Sequence, residues 1–183
     1  MLCSIKSCFS IILLVAVLPA CAAPATVSEP PPSAGATTVQ IYFSREIDAL
    51  QAVERHIPVT DDLETKAEAT LRALLAGPIA DEQAAGLSSW FSADTAGMLN
   101  DVTIDGDAAV VDLKDLSAII PNASTAAGSR VLLDQLTTTI FQFDQIQAVQ
   151  YRFDGSCEAF AFFLQSTCET LTRQEWHARS AFR

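Results

Sequence analysis

The stretch from Ser124 to Gly155, STAAGSRVLLDQLTTTIFQFDQIQAVQYRFDG, constrains the fold more than any other. In its first half Ser129, Leu132, Leu133, Leu136, Ile140 and Phe143 recur at steps of three and four, which predicts a helix with one apolar stripe. Asn122 or Ser124 is placed to cap its start, because a short polar side chain accepts from the unpaired amides of the first turn. After Phe143 the period changes. From Ile146 to Phe153 the residues alternate, which predicts a strand with Val149, Tyr151 and Phe153 on its buried face. A helix of this kind running straight into a strand needs a sheet to lie on, so the rest of the domain has to supply one.

The preceding residues supply it. Val39 to Ser44 reads as a strand by alternation and by β-branched and aromatic content, and Val53 to Val59 can form another. Asp61 and Glu64 have the spacing of a capping box. Leu63, Ala67, Leu71, Leu74 and Leu75 then form the stripe of a first helix, which Gly77-Pro78 ends. Residues 79–90 read as a loop or short helix. Met98 to Ile104 and Ala108 to Leu113 flank Asp105-Gly106, a hairpin signal, and Leu116 to Asn122 crosses over to the long helix. Cys157 to Leu164 reads as a short apolar helix, and residues 169–183 as a polar, loosely ordered tail. The expected fold is a single small α+β domain of order β-α-β-β-α-β, with helices on one face of a sheet and a short disulfide-closed C-terminal helix.

Of the 183 residues 22 are acidic and 11 basic, which argues against general affinity for nucleic acid or anionic lipid headgroups. Residues 1–20 read as a targeting signal: Lys6 gives a positive start, and Ile11 to Leu18 an apolar run too short to span a bilayer comfortably. Leu18-Pro19-Ala20-Cys21 has the form of a lipobox with Cys21 as the lipidated residue, although Pro19 is unusual there. Cleavage at Ala20-Cys21-Ala22 is the competing reading. Residues 21–37, rich in Pro, Ala, Ser and Thr, cannot bury enough surface to fold, and a tether from membrane to domain favours the lipidated form. Cys157 and Cys168 remain as a pair that an exported protein most simply closes as a disulfide. Two cysteines and two distant histidines do not make a metal site, and no cofactor is expected.

Leu71-Arg72-Ala73-Leu74-Leu75-Ala76-Gly77-Pro78, Gly86-Leu87-Ser88-Ser89, Ala109-Val110-Val111-Asp112-Leu113 and Ile146 to Gly155 together resemble a GerMN domain. This is the sporulation and spore-germination module also found in bacterial envelope lipoproteins. The likeness covers about residues 38 to 165 of an expected domain over 38–168. It implies a small α/β module similar to the ring-building domains of envelope assemblies, with a binding or scaffolding role and no known catalysis. Members often carry two such domains, and this chain has room for one.

No reaction chemistry competes well with that reading. Gly86-Leu87-Ser88-Ser89-Trp90 lacks the second glycine of a nucleophile elbow, and neither His56 nor His177 is placed to serve Ser88 as a base. Asp101, Asp105 and Asp107 lack the order of a calcium loop. Asp154 and Glu158 can be a carboxylate pair for hydrolysis, but a helix cap explains them better. Trp90, Phe91, Phe160, Phe162 and Phe163 are the candidates for an exposed apolar interaction patch. The expectation is therefore a non-catalytic, exported, lipid-anchored envelope protein that binds a protein or peptidoglycan. A cell-wall hydrolase and a small-ligand sensor or inhibitor are the alternatives.

Overall fold

The structure is a computed structural model and describes residues 35–46 and 49–181. The leader, Cys21 and nearly all of the tether lie outside the described residues.

A long antiparallel hairpin opens the domain: β1 (Ala36–Glu46) pairs with β2 (Ala49–Pro58), with a register irregularity between Ser44 and Glu46. Val39, Ile41 and Phe43 alternate into the core as the pattern requires. Helices α1 (Leu63–Leu75) and α2 (Ala80–Ala84) follow. Next comes the hairpin of β3 (Leu99–Asp105) and β4 (Ala108–Leu113). A short 3-10 turn at Pro121–Ser124 leads into α3 (Ala126–Ile140). Then β5 (Ala148–Phe153), α4 (Cys157–Phe163), β6 (Leu171–Thr172) and α5 (Arg173–Ala181) complete the described chain.

The fold is α+β, as expected, but the strands form two sheets: β1 with β2, and β3-β4-β5-β6. β1 stays out of the larger sheet because side chains satisfy its free edge. The Gln142 amide donates to Gln40 O at 2.6 Å and accepts from Gln40 N at 2.9 Å, copying the pattern of a neighbouring strand. The Thr139 hydroxyl accepts from Tyr42 N. Beyond them, Ser44 and Ser88 exchange backbone hydrogen bonds in an isolated bridge.

β4 and β5 run parallel, in register from Ala108 opposite Ala148 to Leu113 opposite Phe153, so α3 is a crossover helix. Ala109, Val111, Leu113, Val149, Tyr151 and Phe153 all point to the helical face. Leu132, Leu136 and Ile140 of α3 and Leu71, Leu74 and Leu75 of α1 join them in one continuous core. Each such aliphatic chain contributes about 1.5–3 kcal/mol over leaving it exposed. Burial pushes the Tyr151 phenol up, and its hydroxyl meets Thr137 at 3.0 Å.

Several local expectations shift by a residue or two. The cap of α1 is Asp62, whose carboxylate accepts from Thr65 N at 2.7 Å. Glu64 instead accepts from Ile104 N at 2.9 Å, tying down the β3 edge. Thr125 caps α3, where Asn122 or Ser124 was expected, by accepting from Gly128 N. The β3–β4 turn centres on Gly106 and Asp107, with Gly106 at φ 63°. Gly77 ends α1 at φ 78° as its sequence position implies, and a Cβ there would run into the carbonyl of Phe91.

The segment after Cys168 corrects the expectation of a loose tail. Leu171 and Trp176 are buried in the core, and β6 extends the sheet by pairing with β5. Arg173 fixes the segment: its guanidinium donates to Phe141 O and Phe143 O at 2.7 Å and to Ile146 O, and lies 4.9 Å from the Phe141 ring centre. Polar composition hid this role, because besides the backbone pairing of β6 the docking rests on two apolar side chains and one arginine.

Candidate interaction surface

The sharp turn from β5 into α4 builds the surface. Asp154 at φ 46° and Gly155 at φ 83° reverse the chain, and Phe153 and Ser156 close the turn by exchanging backbone hydrogen bonds. Asp154 tolerates this left-handed conformation because its carboxylate is held from both sides. One oxygen accepts from the Asn100 amide at 3.2 Å and the other from Asp115 N at 3.3 Å. Asp112 shares the same Asn100 amide and accepts from Gly155 N at 2.8 Å. Ser156 caps α4 by accepting from Ala159 N, and its hydroxyl reaches Glu158 at 3.4 Å. The capping account thus describes this segment. Asp154 looks to Asn100 and Asp115, and Glu158 to Ser156, so the two carboxylates are engaged separately.

α4 is then anchored twice. Its inner face carries Phe160, which meets Tyr151 at 5.4 Å and Phe153 at 5.0 Å between ring centres, and Phe163, which meets Phe153 at 5.5 Å. Its first residue is bound to Cys168 in the expected disulfide. With the helix so fixed, Phe162 has nowhere to go but outward, and it is 86% exposed. It lines a groove of about 600 Å³ together with the apolar Phe153, Ala159 and Phe163 and the polar Asp115, Ser117, Ser124 and Gln165. The groove lies at the carboxyl end of β5, beyond the parallel strand pair.

The five aromatics therefore do not form one patch. Phe91, Phe160 and Phe163 are buried and belong to the core. Trp90 is half-buried and lines a separate groove of about 490 Å³ with Ser44, Ser88, Ser89, Thr125 and Gly128. Its indole N–H donates to Gly128 O at 3.2 Å. Phe162 alone of the five stands free. Large apolar side chains cover whatever core surface lies nearest, and the sequence could not say which side of α4 that would be.

Sequence reading missed Gln135, which organises the Trp90 groove from below. Fully buried, it donates to Ser44 Oγ at 2.9 Å and Ser88 O at 3.2 Å, and accepts from Ser89 Oγ at 2.6 Å. A glutamine one step from the Leu132–Leu136 stripe was the available signal. Ser88 itself serves as a bridge residue, its hydroxyl 3.3 Å from Ser44 O, while His56 pairs with Thr38. No cluster of His, Cys, Asp and Glu among the described residues could hold a metal ion, and no described helix is long and apolar enough to cross a membrane.

Three solved structures are similar in part. The first GerMN domain of the sporulation protein GerM from Bacillus subtilis is 22% identical, over 65% of this chain and 84% of that one, with a TM-score of 0.45. The tandem GerMN domains of the same protein match at 22% identity over 66% of this chain and 40% of that one, also at 0.45. A Clostridium perfringens protein, known from a 2.5 Å crystal structure, matches at 15% identity over 81% and 95%, with a TM-score of 0.44. No curated protein matches. The sporulation and spore germination family, Germane, matches residues 40–157, well over half of the chain and nearly the whole of the core described above. This chain belongs to that family and carries a GerMN-type domain.

Proposed function

We propose that this protein is a non-catalytic envelope lipoprotein, held at the membrane by lipid on Cys21, whose GerMN-type domain binds or scaffolds another envelope component. The observation that carries the reading is Phe162. A phenylalanine 86% exposed on a helix fixed by a disulfide and two buried rings, and lining a groove, is suited to anchor a partner that fills that groove. The groove beside it gives a partner's side chain a place to enter. Membership of the sporulation and germination family supports an envelope setting, and the acidic composition supports a protein partner over nucleic acid.

The test is crosslinking in cells, with a photoreactive amino acid in place of Phe162 in the full chain. A discrete adduct is expected, absent when the same probe replaces exposed Asp81 on α2. Equal labelling from both positions, or none from 162, overturns the reading.

A further inference from the structure

The chemistry of the Phe162 groove narrows what it can accept. We infer that it docks a protein segment presenting one large apolar side chain flanked by lysine or arginine, an inference that rests on the interface reading above. The apolar half of the argument is geometric. Among the described residues Phe162 is the one exposed aromatic, and the groove beside it, floored by Phe153 and Phe163, has room for one or two large side chains.

The charged half comes from the rim. Asp115 lines the groove, Asp154 is hydrogen-bonded to the Asp115 amide, and Asp112 shares Asn100 with Asp154. Glu158 stands one turn before Phe162 on α4. None of these four carboxylates enters an ion pair among the described residues; of the neighbouring cations, Lys114 donates to Gly97 O at 2.9 Å, and Arg152, opposite Asp112 in the sheet, donates to Gln150 Oε1 at 2.9 Å. The rim is therefore a negative field beside an apolar anchor, which favours a cationic partner and raises its association rate.

The same field acts against the other occupants. A second copy would bring an identical acidic rim on a chain of formal charge −11, and an anionic lipid surface would be repelled. A contact built on one anchor and one groove fits a transient encounter better than an obligate interface.

The experiment measures fluorescence anisotropy of the full chain with three labelled peptides. Each has a Leu-Phe-Leu centre, flanked by lysines, serines or glutamates. At about 0.05 M salt the lysine peptide is expected to bind about tenfold tighter than the serine peptide, with the glutamate peptide weakest, and the gap should close at high salt. Phe162→Ala should weaken the lysine peptide about tenfold. Asp115→Asn with Glu158→Gln should bring it to the serine level, while Asp105→Asn at the distant hairpin should leave it unchanged. Lysine and serine peptides binding alike, no binding of the lysine peptide, or lysine-peptide binding that survives Phe162→Ala overturns the inference. If crosslinks form from position 162 and the peptides are not discriminated, the interface stands and the cationic partner falls. If crosslinks are absent as well, both fall. Concentration-dependent dimerisation lost in Phe162→Ala would replace the partner by a second copy.

Discussion

Glu82 shows how much one side chain can join in this domain. Its two carboxylate oxygens each accept from the Arg55 guanidinium at 2.6 Å, and one also accepts from Ile79 N at the start of α2. Arg55 in turn lies 5.8 Å from the ring centre of buried Phe43. The pair therefore links the β1–β2 hairpin to α2, with both side chains mostly shielded, at 20% and 14% exposure. Hydrogen bonding from Arg55 holds the Glu82 carboxyl below its ordinary value of 4.5. Because the folded value is the lower one, the stabilisation is present above the ordinary value and is lost as pH falls from it through the folded value. Glu82→Gln should cost about 1–3 kcal/mol at neutral pH and flatten the fall in stability below about pH 4.5, read from urea unfolding at several pH values. An unchanged pH profile would show that the pair adds nothing.

At the scale of elements, the segment from α4 to α5 is held by two devices of different kinds. The disulfide fixes the start of α4 to the chain beyond it, across a separation of 11 residues, and Cys157→Ser with Cys168→Ser should cost about 2–3 kcal/mol. The same loss should appear on reduction of the native chain, as a lower unfolding midpoint. Arg173 works without a covalent bond. Its donors gather the carbonyls of Phe141, Phe143 and Ile146, which lie between the end of α3 and β5, Phe143 O also accepting from Ile146 N. Arg173→Ala should destabilise by about 2–4 kcal/mol, and amide exchange of β6 and α5 should rise above that of α1. Lys in its place should restore little, because one ammonium cannot reproduce the planar fork.

The whole molecule is best tested at its membrane end. Intact mass of the mature protein extracted from membranes should show a diacylglyceryl adduct on Cys21 and a gain of about two mass units on reduction, the latter from the Cys157–Cys168 bond. A soluble product cut near Ala22 would remove the anchor from the proposed function and leave the Phe162 surface to be judged by its own tests. Sequence alone determined what depends on neighbours along the chain. The apolar stripes of α1 and α3, the alternation of β4 and β5, the Gly77 stop and the pairing of Cys157 with Cys168 are all written as short-range periods, turn residues or a closed count. Only the tertiary structure decided the rest. Whether β1 joins the main sheet turned on Gln142 and Thr139, roughly a hundred positions away, covering its edge. Whether residues 171–181 pack turned on Arg173 finding three loop carbonyls. Which of five aromatics would be left outside turned on the direction in which a disulfide and the buried rings of Phe160 and Phe163 fixed α4. Those outcomes depend on contacts distant in sequence, and a local pattern carries no record of what a side chain will meet across the core.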